Sequence, residues 1–190
     1  MESISHLYKL LPQLPHIPDD ICNSVDLNKK PRLSEMIGYS GVRKFKNQKG
    51  KERSAIRNIR VRNELFEQWV KSNIVEDIVD AGLNYAVCNN SNDEEHSTGV
   101  HSDGVRNFAV LYNIKTGGPT AKLCFWQEPG EEIVRSPKTK ISPSKKLNYL
   151  GGLILPERTW CLIDARVLHS VEHMTSTRIN FQISLNKHAW

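Results

Sequence analysis

Apolar residues along this chain follow two different spacings, and each spacing predicts a different kind of element. Between residues 63 and 80 they recur every three or four positions, which is typical of an amphipathic helix. The recurring residues are Leu65, Phe66, Trp69, Val70, Ile74, Val75, Ile78 and Val79. Asn63 suits the N-cap position, where its side chain can accept a backbone N–H, and Gly82 is expected to end the helix.

After Gly82 the apolar residues occur in short runs separated by turn residues. These runs predict strands at residues 83–88, 99–103, 107–114, 122–127, 152–155, 159–164, 169–172 and 178–185. Many short strands with turns between them are typical of a sandwich or barrel. In the last run the apolar residues Ile179, Phe181, Ile183 and Leu185 alternate with the polar residues Arg178, Asn180, Gln182 and Ser184. The polar face therefore lies either against solvent or inside the mouth of a barrel.

The first 62 residues are expected to form an N-terminal arm and a basic segment. Pro12, Pro15 and Pro18 stand at every third position among leucines, which forbids a continuous helix and favours an extended course with the leucines packed inward. A partner-docking motif is the alternative interpretation of this arm. Residues 43–62 carry nine basic residues and one acid, a net charge of +8 in a chain whose total is +5. This basic segment is expected to be an exposed loop leading into an extended stretch. It either contacts a polyanion such as nucleic acid, contacts an acidic protein surface, or is solvated.

Length and composition fit one globular domain. The chain has 190 residues, of which 38% are hydrophobic and 25% charged. We expect the arm and basic segment at 1–62, a supporting helix at 63–82 and a β core at 83–190. No apolar run is long enough to cross a membrane and the opening residues lack a signal-peptide layout, so a cytoplasmic protein without a membrane partner is expected. The four cysteines form no CxxC pair and are expected to be reduced thiols.

The candidate chemistry begins with His101 and Asp103. In an extended strand, side chains at i and i+2 leave the same face about 6.6 Å apart along the chain, so this imidazole and carboxylate can converge on one ion. Gly104 then lets the backbone turn away. With one more imidazole the pair forms a 2-His-1-carboxylate facial triad, which suits non-heme Fe(II) and leaves coordination positions open for a co-substrate and dioxygen.

The third ligand is either His169 or His173. We favour His169 because Arg178 lies nine residues further on. That distance leaves room for a strand, a short turn and an antiparallel return that brings the guanidinium near the metal. Arg178 lies only five positions after His173, which leaves little room for the turn, and His173 stays the substitute ligand.

Together these features resemble the iron(II)- and 2-oxoglutarate-dependent oxygenases, most closely their prolyl-hydroxylase-like branch. That family carries His-x-Asp, a distal His and a basic residue nine or ten positions later, and residues 111–118 resemble the strand and Gly-Gly turn after its first two ligands. The resemblance covers about residues 83–185. It implies a mainly β fold with supporting helices, a double-stranded β-helix of the jelly-roll or cupin type. It also implies catalytic metal ligands at His101, Asp103 and His169.

The resemblance further implies a co-substrate site. Arg178 would hold the distal carboxylate of 2-oxoglutarate through two parallel hydrogen bonds, a task for which a guanidinium is suited. Tyr112 is a candidate to assist at that carboxylate. Asn180 is assigned to the same site, at a position where some family members carry Ser. Ser184 stands where the family's nucleic-acid dealkylases carry a second Arg, which argues against a dealkylase.

The implied activity is that of an oxidoreductase, a dioxygenase that uses Fe(II), 2-oxoglutarate and O2, with ascorbate as an optional reductant, to hydroxylate a C–H bond. A macromolecular substrate is expected: motif spacing favours a protein side chain such as proline, and the basic segment favours nucleic acid. The most different alternative is a non-catalytic β-helix, a structural or binding protein of viral origin, since the chain also loosely resembles phage oxygenase-like proteins. Residues 128–148 are expected to form a long loop over the site. Arg106 either contacts substrate or pairs with an acid.

Overall fold

The computed structural model describes residues 4–28, 31, 36–40, 44–46, 52–54, 57–74, 77–88, 96–104, 106–130 and 146–187; for 37–40, 44–46, 52–54 and 57 it describes the backbone alone. A 3-10 turn spans Ile4–His6, and the α-helices are α1 (Asp19–Asn23) and α2 (Glu64–Asn73). The strands are β1 (Tyr8–Leu10), β2 (Met36–Ser40), β3 (Lys44–Lys46), β4 (Glu52–Ser54), β5 (Arg57–Val61), β6 (Ile78–Val87), β7 (Phe108–Thr116), β8 (Lys122–Gln127), β9 (Asn148–Leu153), β10 (Trp160–Asp164), β11 (His169–Glu172) and β12 (Arg178–Leu185).

The larger of the sheets has seven strands in the order β1-β10-β7-β12-β6-β5-β2. All of its pairings are antiparallel. Strand β12 lies at its centre, between β6 and β7, and every residue of β12 is buried. A central strand covered on both faces is expected to be buried at every position, so its polar residues must lie in an enclosed space.

The smaller sheet holds β11, β8 and β9 in that order. The segment 96–101 extends it, because His96 bridges Met174, the amide of Thr98 donates to the carbonyl of Val171, and His101 bridges His169. With this segment as a fourth strand, the chain from β6 to β12 passes back and forth between two facing sheets, except at β8 and β9, which pair with each other in the smaller sheet. The fold is the mainly β, double-stranded β-helix that the sequence predicts.

Two apolar clusters hold the sheets and the helix together. The inner cluster fills the space between the sheets, with Leu111 and Ile163 from the larger sheet meeting Leu123 and Phe125 from the smaller one. The outer cluster lies on the other face of the larger sheet, where α2 and the N-terminal arm cover it. In that cluster Phe66 of α2 stacks on Phe181 of β12, with ring centroids 4.3 Å apart.

The predicted helix is real but shorter than expected. Asn63 is its N-cap, and its side chain accepts from the backbone N–H of Phe66 at 2.9 Å. The helix ends at Asn73, and Ile78 and Val79 begin β6, so the prediction that it continues to Asp80 is wrong. Gly82 lies inside β6 rather than at a helix end. Residues 99–103 also form no regular strand, although His101 keeps its bridge to His169.

Residues 7–18 of the N-terminal arm form no helix, as predicted, but α1 begins at Asp19, within the stretch expected to be extended. Leu7, Leu11 and Ile17 are buried against the body, while Leu10 is 43% exposed. The basic segment was expected to start as a loop, but β3 and β4 pair as a hairpin and β5 joins the larger sheet. The greater part of the predicted loop at 128–148 lies outside the described residues.

All four cysteines are free thiols, as expected. In the part of the chain that the structure describes, no helix is both long and apolar enough to cross a membrane.

Candidate metal and co-substrate site

Three potential metal ligands meet where the segment 96–101 joins β11. They are His101, Asp103 and His169, and one ligand atom from each lies within 4.8 Å of the others. The backbone fixes their positions, because the bridge between His101 and His169 is closed by hydrogen bonds of 3.0 and 2.8 Å. The amide of Asp103 is held by the carbonyl of Ala165 at 2.7 Å. The structure thus brings together the three residues that the sequence selects.

Both imidazoles present the same nitrogen to the centre of the cluster. Nδ1 of His101 lies 2.9 Å from the carbonyl of Gly99, and Nδ1 of His169 lies 2.8 Å from the carbonyl of Val167. Because a carbonyl only accepts, each Nδ1 carries a proton, so Nε2 is the nitrogen through which each imidazole could bind a metal. Carbonyl partners of this kind fix the tautomer of metal-binding histidines.

The protonation states also suit a cation. Burial, assisted by the neighbouring His101, lowers the pKa of His169 to about 4, so its imidazole is neutral near pH 7. Burial alone would raise the pKa of Asp103, but the Arg106 guanidinium outweighs it and, with smaller contributions from the two histidines, the pKa falls to about 2. The cluster therefore offers the neutral imidazole of His169 and the carboxylate of Asp103, beside the imidazole of His101.

Arg106 is the partner of Asp103 and belongs to the site. Its Nε donates to Oδ2 of Asp103 at 2.7 Å, and its Nη2 lies 2.6 Å from the same oxygen. The other carboxylate oxygen, Oδ1, lies 3.7 Å from Nε2 of His101. The sequence left open whether Arg106 contacts substrate or an acid, and the structure shows the acid to be the candidate metal ligand itself.

Arg178 lies in the enclosed space between the sheets. Its neighbours along β12, Ile179 and Phe181, belong to the outer cluster, so strand alternation turns Arg178 to the inner side. The residue is 5% exposed. Among the described residues its side chain has no hydrogen bond or ion pair, and the titratable group that acts on it is the thiol of Cys161, which is neutral near pH 7 because burial raises its pKa to about 12. Burial lowers the pKa of Arg178 to about 10, which leaves a charged guanidinium without a counter-ion.

The carboxamide of Asn180 lies on the same inner face of β12. It is 4% exposed and, within the described part of the chain, no hydrogen bond holds it. Its cross-strand partner on β7 is Asn113. Asn113 donates through Nδ2 to the carbonyl of Leu155 at 3.2 Å, while its Oδ1 is buried without a partner. Buried polar groups are normally paired, so this unpaired set indicates a space built for a polar guest.

The prediction that Tyr112 assists Arg178 at the co-substrate carboxylate is wrong. Tyr112 is buried in the outer cluster beside Trp160, with ring centroids 4.7 Å apart, and its hydroxyl lies 3.4 Å from Nδ1 of His16. This is the opposite face of β7 from Leu111, which points into the barrel. A side chain on the outer face cannot reach the space that holds Arg178.

The structure also separates the two candidate third ligands. His173 is exposed, has a left-handed backbone with φ of 58°, and lies outside the cluster. His169 is 6% exposed and within the cluster.

No protein-family model matches the chain, and no curated protein matches it. The chain is similar to the X-ray structure of E. coli ycfD, with 11% identity and a TM-score of 0.50 over 96% of this chain and 50% of that one. It thus spans half the length of that protein, and the likeness shows the fold alone. It is also similar to an oxidoreductase of the 2OG-Fe(II) oxygenase family from Burkholderia pseudomallei, with 11% identity and a TM-score of 0.36 over 78% of this chain and 76% of that one.

Proposed function

We propose that this protein is an Fe(II)- and 2-oxoglutarate-dependent dioxygenase of the prolyl-hydroxylase-like branch, which hydroxylates a C–H bond. One observation carries the proposal: a buried, charged Arg178 without a counter-ion shares the barrel interior with the His-Asp-His cluster. An unpaired buried charge costs several kcal/mol, so a protein keeps one where a ligand supplies the opposite charge. A dicarboxylate that reaches from a metal to Arg178 would do so.

The donor set fits iron. Two imidazole nitrogens and one carboxylate, with open positions, suit non-heme Fe(II). His101 and His169 would bind through Nε2 and Asp103 through Oδ1, since the other atoms of these side chains already have partners. Bound iron, together with 2-oxoglutarate and O2, would supply the oxidising power, with succinate and carbon dioxide as the co-products.

The protein's own contribution is to bind, orient and shield. Arg178 would accept the distal carboxylate in two parallel hydrogen bonds, and the amide of Asn180 can add another donor from the same face of β12. The inner cluster, with Leu111 and Phe125 buried between the sheets, gives the barrel interior an apolar wall. Apolar surroundings strengthen the contact between guanidinium and carboxylate.

The deciding test is co-product formation. Purified protein given Fe(II), 2-oxoglutarate and O2 should form succinate, and His169→Ala should abolish it. His173→Ala is the matched control, because that imidazole lies outside the cluster, and it should keep the wild-type rate. If the wild-type protein binds neither the metal nor 2-oxoglutarate, the non-catalytic β-helix becomes the better account.

The substrate we propose is a protein side chain such as proline. Nucleic acid is a second candidate, and two observations favour it. The basic segment is joined to the barrel, because β5 pairs with β6 of the larger sheet. The second observation concerns Ser184, which stands where the family's nucleic-acid dealkylases carry a second Arg. Arg106 donates to Oγ of Ser184 at 3.2 Å, so a guanidinium is present at this position although it comes from another part of the chain.

A further inference from the structure

We propose that Arg106 is a positioning residue that restricts Asp103 to one metal-binding oxygen. The inference rests on the proposed metal site and goes beyond it, because it concerns how many coordination positions stay open. It is drawn from a single set of contacts: Arg106 joins the carboxylate of Asp103 to the centre of β12.

The first step is the contact between Arg106 and the carboxylate of Asp103. Nε and Nη2 of Arg106 both contact Oδ2, at 2.7 and 2.6 Å, and neither contacts Oδ1. Hydrogen bonds between charged groups are about twice as strong as neutral ones, so Oδ2 is firmly committed. Oδ1 is left on the side of His101, where the ligand atoms converge.

The second step is that Arg106 is itself fixed. Its Nη1 donates to Oγ of Ser184 at 3.2 Å. The carboxamide of Gln182, turned with its oxygen toward the guanidinium, accepts from Nη2 at 2.7 Å and from Nη1 at 2.8 Å. That orientation is required because the amide nitrogen would otherwise face only donors. The Arg106 side chain is 12% exposed, and Asp103, Ser184 and Gln182 together hold its guanidinium.

The third step is the consequence for the metal. A carboxylate can bind a cation through one oxygen or through two. A second oxygen from Asp103 would take one of the positions that a chelating co-substrate needs. Turning Oδ2 to the metal would break both contacts to Arg106 and leave a buried guanidinium without its acid. Arg106 therefore keeps the carboxylate monodentate and the site open.

The test uses Co2+ as the probe metal, since its visible absorption reports the number and geometry of its ligands. Arg106→Met removes every donor to Oδ2. The variant should still bind Co2+, with a changed absorption spectrum, and should bind 2-oxoglutarate at least about tenfold more weakly in the Co2+-loaded form, the lower end of the effect of outer-shell partners. Arg106→Lys keeps a donor for Oδ2 and should restore part of the wild-type spectrum and affinity.

Arg158→Met is the matched control, because Arg158 also pairs with an aspartate, Asp19, but does so on the surface. It should leave both readouts unchanged. Thermal unfolding of each variant identifies any that fails to fold, in which case Arg106→Lys alone carries the test and must differ measurably from wild type. If folded Arg106 variants keep the wild-type Co2+ spectrum and 2-oxoglutarate affinity, the inference is overturned while the metal site stands. If the wild-type protein binds no Co2+, the proposed function fails first.

Discussion

Gly118 packs so closely on Thr175 that a Cβ at Gly118 would overlap Oγ1 of that threonine. The two residues join the turn after β7 to the turn between β11 and β12. The neighbouring Gly117 accepts backbone hydrogen bonds from Thr175 and Ser176, and a Cβ there would lie 3.1 Å from Cβ of Arg178. The Gly-Gly turn therefore supports the start of the strand that carries Arg178.

Gly118→Ala should lower the free energy of unfolding by about 1–3 kcal/mol, because alanine is strained at a φ of 119° and its Cβ would overlap Thr175. Denaturant unfolding measures the change. Gly130→Ala is the control: Gly130 also has a positive φ, of 76°, but a Cβ there would meet nothing within 4 Å. Equal losses in the two variants would mean that backbone strain alone, and not the packing on Thr175, decides the cost.

Replacing any one of the three proposed metal ligands should remove most metal binding. His101→Ala, Asp103→Ala and His169→Ala each delete one of three protein ligands, and losing one damages the site more than the core. Titration calorimetry with Mn2+ or Co2+ measures the loss, and thermal unfolding checks the fold. His173→Ala should bind the metal like wild type. Binding that survives His169→Ala but not His173→Ala would show that the ligands are assigned wrongly.

Arg178 should cost stability when no co-substrate is present. Arg178→Met removes a buried charge that has no counter-ion in the described chain, so we expect the free energy of unfolding to rise by about 1 kcal/mol or more. With the metal bound, 2-oxoglutarate at 100 times its Kd should stabilise the wild-type protein by about 2.7 kcal/mol, and the methionine variant much less. This role would be contradicted if Arg178→Met were less stable than wild type without 2-oxoglutarate and were stabilised by 2-oxoglutarate as much as wild type is.

Arg178→Lys separates charge from geometry. It keeps a cation but loses the planar fork that matches a carboxylate, so 2-oxoglutarate should bind more weakly while the metal still binds. Calorimetry on the metal-loaded protein measures both affinities. The same 2-oxoglutarate affinity in the lysine variant and the wild type would mean that the carboxylate is held elsewhere.

Tyr112→Phe should leave 2-oxoglutarate binding unchanged, because the hydroxyl lies in the outer cluster. The variant loses the 3.4 Å contact with His16 and a hydrogen bond with the backbone of Ile17, so the stability loss should stay below about 2 kcal/mol. Calorimetry on the metal-loaded variant and on the metal-loaded wild type measures the two 2-oxoglutarate affinities. A tenfold loss of affinity would place Tyr112 back in the co-substrate site.

Strand β12 shows what the alternation of apolar and polar residues can predict and what it cannot. Its bounds and the separation of its two faces follow from the sequence, but alternation alone does not say which face is inside. Here both faces are buried, because α2 covers one and the smaller sheet covers the other. The same ambiguity explains the error at Tyr112, since a buried tyrosine on an inner strand fits either face.

Other errors have equally local causes. Ile74, Ile78 and Val79 fit a helical spacing as well as the start of a strand. The spacing therefore predicts a helix that continues into what is β6 in the structure. Arg106 could not be placed because its partners on β12 are more than 70 residues away in sequence and meet it only through the fold. By contrast, the sequence predicts that His101, Asp103 and His169 lie together, and the structure has them within 4.8 Å of one another; their role as metal ligands stays a prediction.

The last prediction concerns the basic segment and separates the two substrate classes. If this segment grips a nucleic-acid backbone, binding releases counter-ions, and the logarithm of affinity falls linearly with the logarithm of salt concentration. Lys44, Lys46 and Arg53 lie on the β3–β4 hairpin, whereas Arg60 is held by Asp80 at 2.5 Å and is a poor candidate for a phosphate contact.

Replacing all three hairpin residues by glutamine should reduce the slope of log affinity against log salt concentration by about three units, given about 0.9 per phosphate contact on duplex DNA. The matched control replaces Lys9, Lys71 and Lys187, which are exposed and lie outside the basic segment, and should leave the slope unchanged. Binding to single- and double-stranded DNA and RNA at several salt concentrations measures both. If the wild-type protein shows no salt-dependent retention on any of them at low ionic strength, the nucleic-acid candidate falls and a protein side chain is the remaining macromolecular substrate.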